Sequence, residues 1–163
     1  MSRPGPEPHP PGLHLSGIHG RTLHPGRAAG QVLRLSEPVS FWGGVGEDGR
    51  IVDVHHPQRG ASLAGQVVVM DGGRGSSSSA TIVAELVRVG AAPAALVLGE
   101  CDSILVVGAL VGAELYDVQM PIIELAPADL DRIGPGRVEV EADNAGAGTG
   151  LATIRATPPE QAS

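Results

Sequence analysis

Val67-Val68-Val69-Met70-Asp71-Gly72-Gly73-Arg74-Gly75-Ser76-Ser77-Ser78-Ser79-Ala80-Thr81-Ile82-Val83-Ala84-Glu85-Leu86-Val87-Arg88-Val89-Gly90 is the stretch whose reading decides the fold. Its four leading apolar residues have no polar break, which predicts a strand buried on both faces. The glycines at 72, 73 and 75 predict a tight turn or a close approach of backbone to a ligand. Ser77 to Val89 carries Ile82, Val83, Leu86 and Val87 at helical spacing, and Gly90 stands where a helix C-cap belongs. Strand, turn and helix start together put hydroxyls, an arginine and unpaired N–H groups beyond the carboxyl end of a strand, where ligands collect in parallel sheets. One serine is enough for an N-cap. Four in succession, beside Gly73-Arg74-Gly75, read as an anion-binding or catalytic loop as well.

Working outward, Ala94 to Leu98 predicts a second buried strand, Ile104 to Leu115 a mostly apolar helix, and Ile122-Ile123 a further strand. Strands alternating with helices predict parallel crossovers. Ala126 to Ile133 reads as a short helix, and Arg137 to Glu141 and Leu151 to Arg155 as closing strands of period two. Upstream, Gln31 to Leu35, Val39 to Trp42 and Arg50 to Val54 read as strands of an antiparallel half, with Gly43 to Gly49 a turn-rich loop. The expected class is α/β: a three-layer β/β/α domain over residues 26–156, with an antiparallel sheet from the chain's ends and a parallel sheet from its middle. Residues 1–25, rich in Pro, Gly and His, read as a mobile or loosely attached arm, and 157–163 as a polar tail.

Composition narrows the chemistry. Hydrophobic residues make up 42% of the chain but aromatics only 2%, so the core must come from Val, Leu, Ile and Ala around Phe41, Trp42 and Tyr116. The formal charge is −7, and no basic stripe with stacking rings is present, which argues against nucleic acid as a partner. All 11 basic residues are Arg. The absence of Lys excludes a Walker A loop and lysine Schiff-base chemistry. A single cysteine, Cys101, leaves no disulfide framework, and between Glu100 and Asp102 it reads as structural. Neither a signal-peptide core nor a membrane-spanning run is visible, so a cytoplasmic protein without a membrane partner is expected. His9, His14, His19 and His24 recur at a spacing that fits neither helix nor strand, and no metal site is expected of them. His55 and His56, adjacent on an extended chain, point to opposite faces and do not chelate one ion together.

Ser40-Phe41-Trp42-Gly43-Gly44-Val45, Gly49-Arg50-Ile51-Val52-Asp53, His56-Pro57, Leu63-Ala64-Gly65-Gln66-Val67, Gly73 to Ser79 and Ala92-Pro93-Ala94-Ala95 together resemble the swivel domain of the aconitase X family, in order, from about residue 18 to about 125. The resemblance implies a swivelling β/β/α fold and a hydro-lyase. It implies a small subunit that closes over a small hydroxy-acid substrate held by a large subunit, with the iron–sulfur cluster in that partner and no cofactor on this chain. One cysteine does not ligate such a cluster. Carried over by motif, the catalytic serine is Ser76, acting as the base while the partner's cluster takes the leaving hydroxyl. Arg74, Gly75, Ser77 and Ser78 are then expected at the substrate, and Ser40, Gly43, Gly44 and His56 at the border of the site. The run of serines leaves the base open by one residue. Members act on cis-3-hydroxy-L-proline or on mevalonate 5-phosphate. A phosphate wants more cations than Arg74 and Arg59 supply, and the composition looks like that of a high-GC bacterium, so the first substrate is expected. Two other readings are a non-enzymatic β/β/α module that binds an anion, and a phosphohistidine carrier using His55 or His56. The second lacks a glycine-rich loop at a helix start around either histidine.

Overall fold

The computed structural model describes residues 17–144 and 150–158. Among them run β1 (Ile18–His24), β2 (Gly26–Arg34), a one-turn α1 (Phe41–Gly44), β3 (Val67–Met70), α2 (Ser79–Val89), β4 (Ala95–Leu98) and α3 (Ser103–Tyr116), followed by β5 (Ile122–Glu124), α4 (Pro127–Leu130), β6 (Arg137–Ala142) and β7 (Leu151–Ala156). Hydrogen bonding closes the strands into one barrel in the order β1-β5-β4-β3-β2-β6-β7. β2, β3, β4 and β5 are mutually parallel. β6, β7 and β1 complete the barrel with antiparallel pairings. The expected parallel and antiparallel sheets are thus two halves of one closed surface.

The unbroken apolar runs are explained by burial on two sides. Val67, Val69, Ala95, Val97 and Ile123 point into the barrel, against Val138, Val140, Ala142, Ala152 and Ile154 of the antiparallel half. Their alternates Val68, Met70, Leu96, Leu98 and Ile122 point outward, under Val83 and Leu86 of α2 and Leu105 and Ala109 of α3. Each of these fully buried branched side chains contributes about 1.5–3 kcal/mol. Two layers of strand and one of helix result, which is the predicted β/β/α order. Leu130 of α4 and Ile133 just after it close the barrel at the carboxyl end of the parallel strands.

The two outer helices touch through small residues. A Cβ on Gly108 would lie 2.7 Å from Val83 Cβ, and one on Gly112 would lie 2.9 Å from a Val87 methyl, so glycine is what lets α3 approach α2. Asp102 starts α3, its Oδ1 accepting from the N–H groups of Ile104 (2.9 Å) and Leu105 (3.3 Å).

Four expectations require correction. Residues 18–24, read as part of the arm, form β1, paired with β5 and β7. The alternation is hidden because Gly20 holds an inward place: a Cβ there would meet Glu124 O and a Leu125 methyl at 2.4 Å. Val39 to Trp42 is not a strand; Phe41 is buried and the chain turns at Gly43, whose φ of +77° favours glycine. Arg50 to Val54 makes only isolated bridges, Val45 to Ile51 and Arg50 to Ser62, because the chain folds back at Asp53, which accepts from the backbone of His55 and His56. β2 also begins earlier than Gln31 and is parallel to β3, antiparallel only to β6. The rest of the proposed arm, residues 1–16, and most of the tail, 159–163, lie outside the described residues, as do His9 and His14.

Candidate functional site

Three segments meet where β3 and β4 end. The first is the loop Asp71 to Ser78 between β3 and α2. The second, Gly99 to Asp102, joins β4 to α3. The third is the Ser40–Gly44 turn. Adjacent parallel strands deliver the first two side by side: Met70 is paired with Leu98, and Gly99 N–H donates to Met70 O. Gly73 lies so close to Asp102 that a Cβ would fall 1.4 Å from its Oδ2. On the opposite flank Gly75, at φ +105°, lies against Ser40, whose Oγ would be 2.0 Å from a Cβ. Glycines 73 and 75 are therefore required by what presses on either side of Arg74.

The loop then enters α2 through a hydroxyl-capped turn. Ser78 N–H donates to Ser76 Oγ at 3.2 Å, and Ser79 N–H to Ser76 O at 3.0 Å. Ser78 itself makes no side-chain cap. Ser76 thus does the work of the predicted N-cap while remaining solvent-exposed, with Arg74, Gly75 and Ser77 exposed around it and Ser78 half-buried. Arg74 has no ion-pair partner among the described residues. An N–H aimed at a serine oxygen at a helix start favours negative charge at that oxygen.

Of the bordering residues, Ser40 touches the loop, and its hydroxyl donates to Trp42 O at 2.9 Å. Gly43 is exposed in open space and Gly44 is buried against Val39. His56 lies on the chain that leads to Ser40. It is buried, its Nδ1 accepts from Gln58 N–H (3.1 Å) and its Nε2 donates to Glu37 O (3.0 Å), so both ring nitrogens are committed to bracing the chain that leads to Ser40. Gln58 completes that brace, donating to Arg34 O and accepting from Ser36 N–H. His55 is exposed. His24, far along the chain, is buried and held to Met120 O at 3.0 Å, and loss of hydration in the interior pulls its pKa below the usual value, outweighing that bond. Cys101 is exposed in the β4–α3 loop.

One residue of the site escaped sequence reasoning, and the serine run concealed the separate place of another. Asp102 is a helix cap that doubles as the wall against Gly73. An Asp before a long apolar helical run was its signal. Ser79 is buried at 3% exposure, and its Oγ accepts from Trp42 N–H at 3.2 Å. The spacing of Ser79 with the buried Val83, Leu86 and Val87 places it on the inner face of α2, and that spacing could have found it.

A cavity of about 490 Å3 opens beside the loop, lined by Asp71, Gly99, Glu100, Pro127, Leu130 and Asp131. Among the described residues no three His, Cys, Asp or Glu side chains gather as metal ligands, and no helix is long and apolar enough to cross a membrane.

A mixed barrel flanked by two helices, with a serine loop exposed at the carboxyl edge of its parallel half, defines the class as a swivel-type α/β domain. Residues 17–147 match the Aconitase X swivel domain, and the chain belongs to that family. It is 39% identical over 138 residues to a cis-3-hydroxy-L-proline dehydratase of Pseudomonas aeruginosa, covering 80% of this chain and 24% of that protein. It is 32% identical over 124 residues to the phosphomevalonate dehydratase small subunit of Methanothermobacter thermautotrophicus, covering 76% of this chain and 90% of the relative. The crystal structure of Thermococcus kodakaraensis aconitase X in its holo-form superposes with a TM-score of 0.68 at 30% identity, over 83% of this chain and 95% of that one. The chain therefore spans about a quarter of the Pseudomonas relative but most of the archaeal small subunit.

Proposed function

We propose that this chain is the small, swivelling subunit of an aconitase X type hydro-lyase, active with a large subunit, and that Ser76 is its base. The observation that carries the reading is the Ser76 oxygen: exposed, on a loop walled by Asp102 and Ser40, and already receiving the Ser78 N–H. Dehydration of a hydroxy acid removes a proton from the carbon beside the carboxylate and hydroxide from the next carbon, leaving a double bond and water. A serine takes that proton only if its anion is stabilised. The Ser78 N–H, the start of α2 and Arg74 supply that stabilisation on this chain. Ser77 and Ser78 would orient the substrate carboxylate. The iron–sulfur cluster of the pair belongs, on this reading, to the large subunit. Cys101 is the one cysteine of the sequence, and on this reading this chain's part is the proton.

For the substrate we favour cis-3-hydroxy-L-proline. The match to the Pseudomonas dehydratase is long, 138 residues at 39% identity. The loop and its flanks carry Asp71, Glu100 and Asp102 beside Arg74, a poor setting for a phosphate. Mevalonate 5-phosphate is the second reading, favoured by one observation: the match extends over 90% of an archaeal phosphomevalonate dehydratase small subunit. The test is to copurify the chain with its large subunit and assay both substrates. Turnover of hydroxyproline supports the first reading, and turnover of the phosphorylated substrate alone replaces it with the second. A chain that elutes alone and binds simple anions would leave only the anion-binding module.

A further inference from the structure

We propose that Ser79, the buried last member of the serine run, is a positioning residue that clamps the Ser40–Gly44 turn to the Ser76 loop. This rests on the reading of Ser76 as the base. Ser76 and Ser77 are exposed and Ser78 half-buried, whereas Ser79 is 3% exposed, so its hydroxyl is not offered to a substrate. That hydroxyl accepts from Trp42 N–H at 3.2 Å, while Ser79's own N–H donates to Ser76 O at 3.0 Å. One residue thereby links the turn to the peptide of the base itself.

Both supports of the link are anchored. Phe41, next to Trp42, is 1% exposed in the outer core, and Val83, one helical turn beyond Ser79, is fully buried. The turn is stiffened internally by Ser40 Oγ donating to Trp42 O, and Ser40 meets Gly75 immediately before the base. Two contacts, Gly75 on Ser40 and Ser79 on Trp42, thus bracket Ser76 on either side in sequence. Removing the hydroxyl leaves the Trp42 N–H without its partner and frees the turn to part from the loop. Displacement of a reacting group by about 1 Å can cost about 100-fold in rate. Because Ser79 touches no substrate, the loss belongs to kcat.

The experiment compares Ser79→Ala, Ser79→Thr and Ser76→Ala in the complex with the large subunit, together with amide hydrogen exchange over residues 41–44 in the full chain. Ser79→Ala is expected to lower kcat about 10- to 100-fold with KM within about twofold, and to speed exchange at Trp42. Ser79→Thr, which keeps the hydroxyl, is expected to restore both. A barrel-core control, Val140→Ala, loses thermal stability with kcat unchanged. Wild-type turnover in Ser79→Ala overturns the clamp, as does equal slowing in the Thr variant, or a loss lying mainly in KM. Ser76→Ala separates the two readings: if it still turns over, the base assignment fails, whereas a dead Ser76→Ala beside a wild-type Ser79→Ala defeats the clamp alone.

Discussion

The two halves of the barrel are built from the same kinds of apolar residue but differ in what lies outside them. β3, β4 and β5 are covered on both faces, and every residue of β3 and β4 is at most 1% exposed. β6 and β7 alternate buried and exposed, and their outer face carries pairs such as Arg27 with Glu141 across β2 and β6. Loops leaving the doubly covered strands have fixed starting points and no freedom to roll. The loop that carries Ser76 and the cap that carries Asp102 both leave from there. The antiparallel half closes the interior and supplies the inner wall. Rigidity at strand ends, rather than the barrel as such, is what makes the carboxyl edge of β3 and β4 fit to hold a reactive oxygen.

The sharpest way to break this comparison is Ser76→Ala. Its expected effect is loss of turnover by at least about 100-fold, the lower end of what a positioned base contributes. Stability should fall by no more than about 0.5–2 kcal/mol, the cost of the cap that Ser76 supplies to Ser78 N–H, with binding of the large subunit kept. Retained turnover would separate the rigid loop from the chemistry. Next in size is Gly73→Ala, which drives a methyl into Asp102 and should cost about 1–3 kcal/mol together with activity. Gly73 is not held at a positive φ, so space alone is its reason. Adding Asp102→Ser, which keeps a capping oxygen on α3 but removes the clashing one, should recover most of the loss. If the double variant is no better than the single, Asp102 is not the wall. Within the core, Ile123→Ala should lower stability by about 2–5 kcal/mol in denaturant unfolding, because neither side of a doubly covered strand can collapse freely.

How much of this could be read beforehand depends on the same difference. Continuous apolar runs at 67–70 and 95–98 announce burial on both faces without ambiguity, and Gly90 ends α2 as expected, its N–H donating to Val87 O. The loop was legible because its residue types have no use in a core. β1 was not, since Gly20 occupies an inward place and erases the alternation; the need for glycine there comes from Leu125, about a hundred residues away. His56 was named through the His56-Pro57 motif, but its partners Glu37 O and Gln58 N–H are backbone groups that no pattern of side chains discloses. The clamp was half visible: Ser79 lies in the quoted run, but its partner is the amide of Trp42, on a stretch that read as a strand.

His24 tests whether burial at the end of β1 matters to the barrel. Its pKa is depressed in the folded chain, chiefly by desolvation, so the folded state prefers the neutral ring while the unfolded chain titrates at the ordinary value near 6.5. Between those two values the unfolded chain binds more protons, and stability should fall as pH drops through about 6.5 and below. His24→Gln should flatten that part of the unfolding curve. An unchanged slope would place the acid sensitivity elsewhere.

The smallest effect should come from the outer face of the antiparallel half, and its smallness is informative. Arg27 and Glu141 approach to 2.5 Å, but their side chains are 80% and 39% exposed. Water and salt screen such a pair, so Arg27→Ala should change stability by about 0.2–1 kcal/mol, less in high salt. The same truncation made inside the parallel half, Ile123→Ala, removes no charge at all and should cost several times more. A loss at Arg27 as large as that at Ile123 would mean that cross-strand pairing, not two-sided burial, holds the barrel closed. The rigidity credited to the ends of β3 and β4 would then have to be sought in β2 and β6.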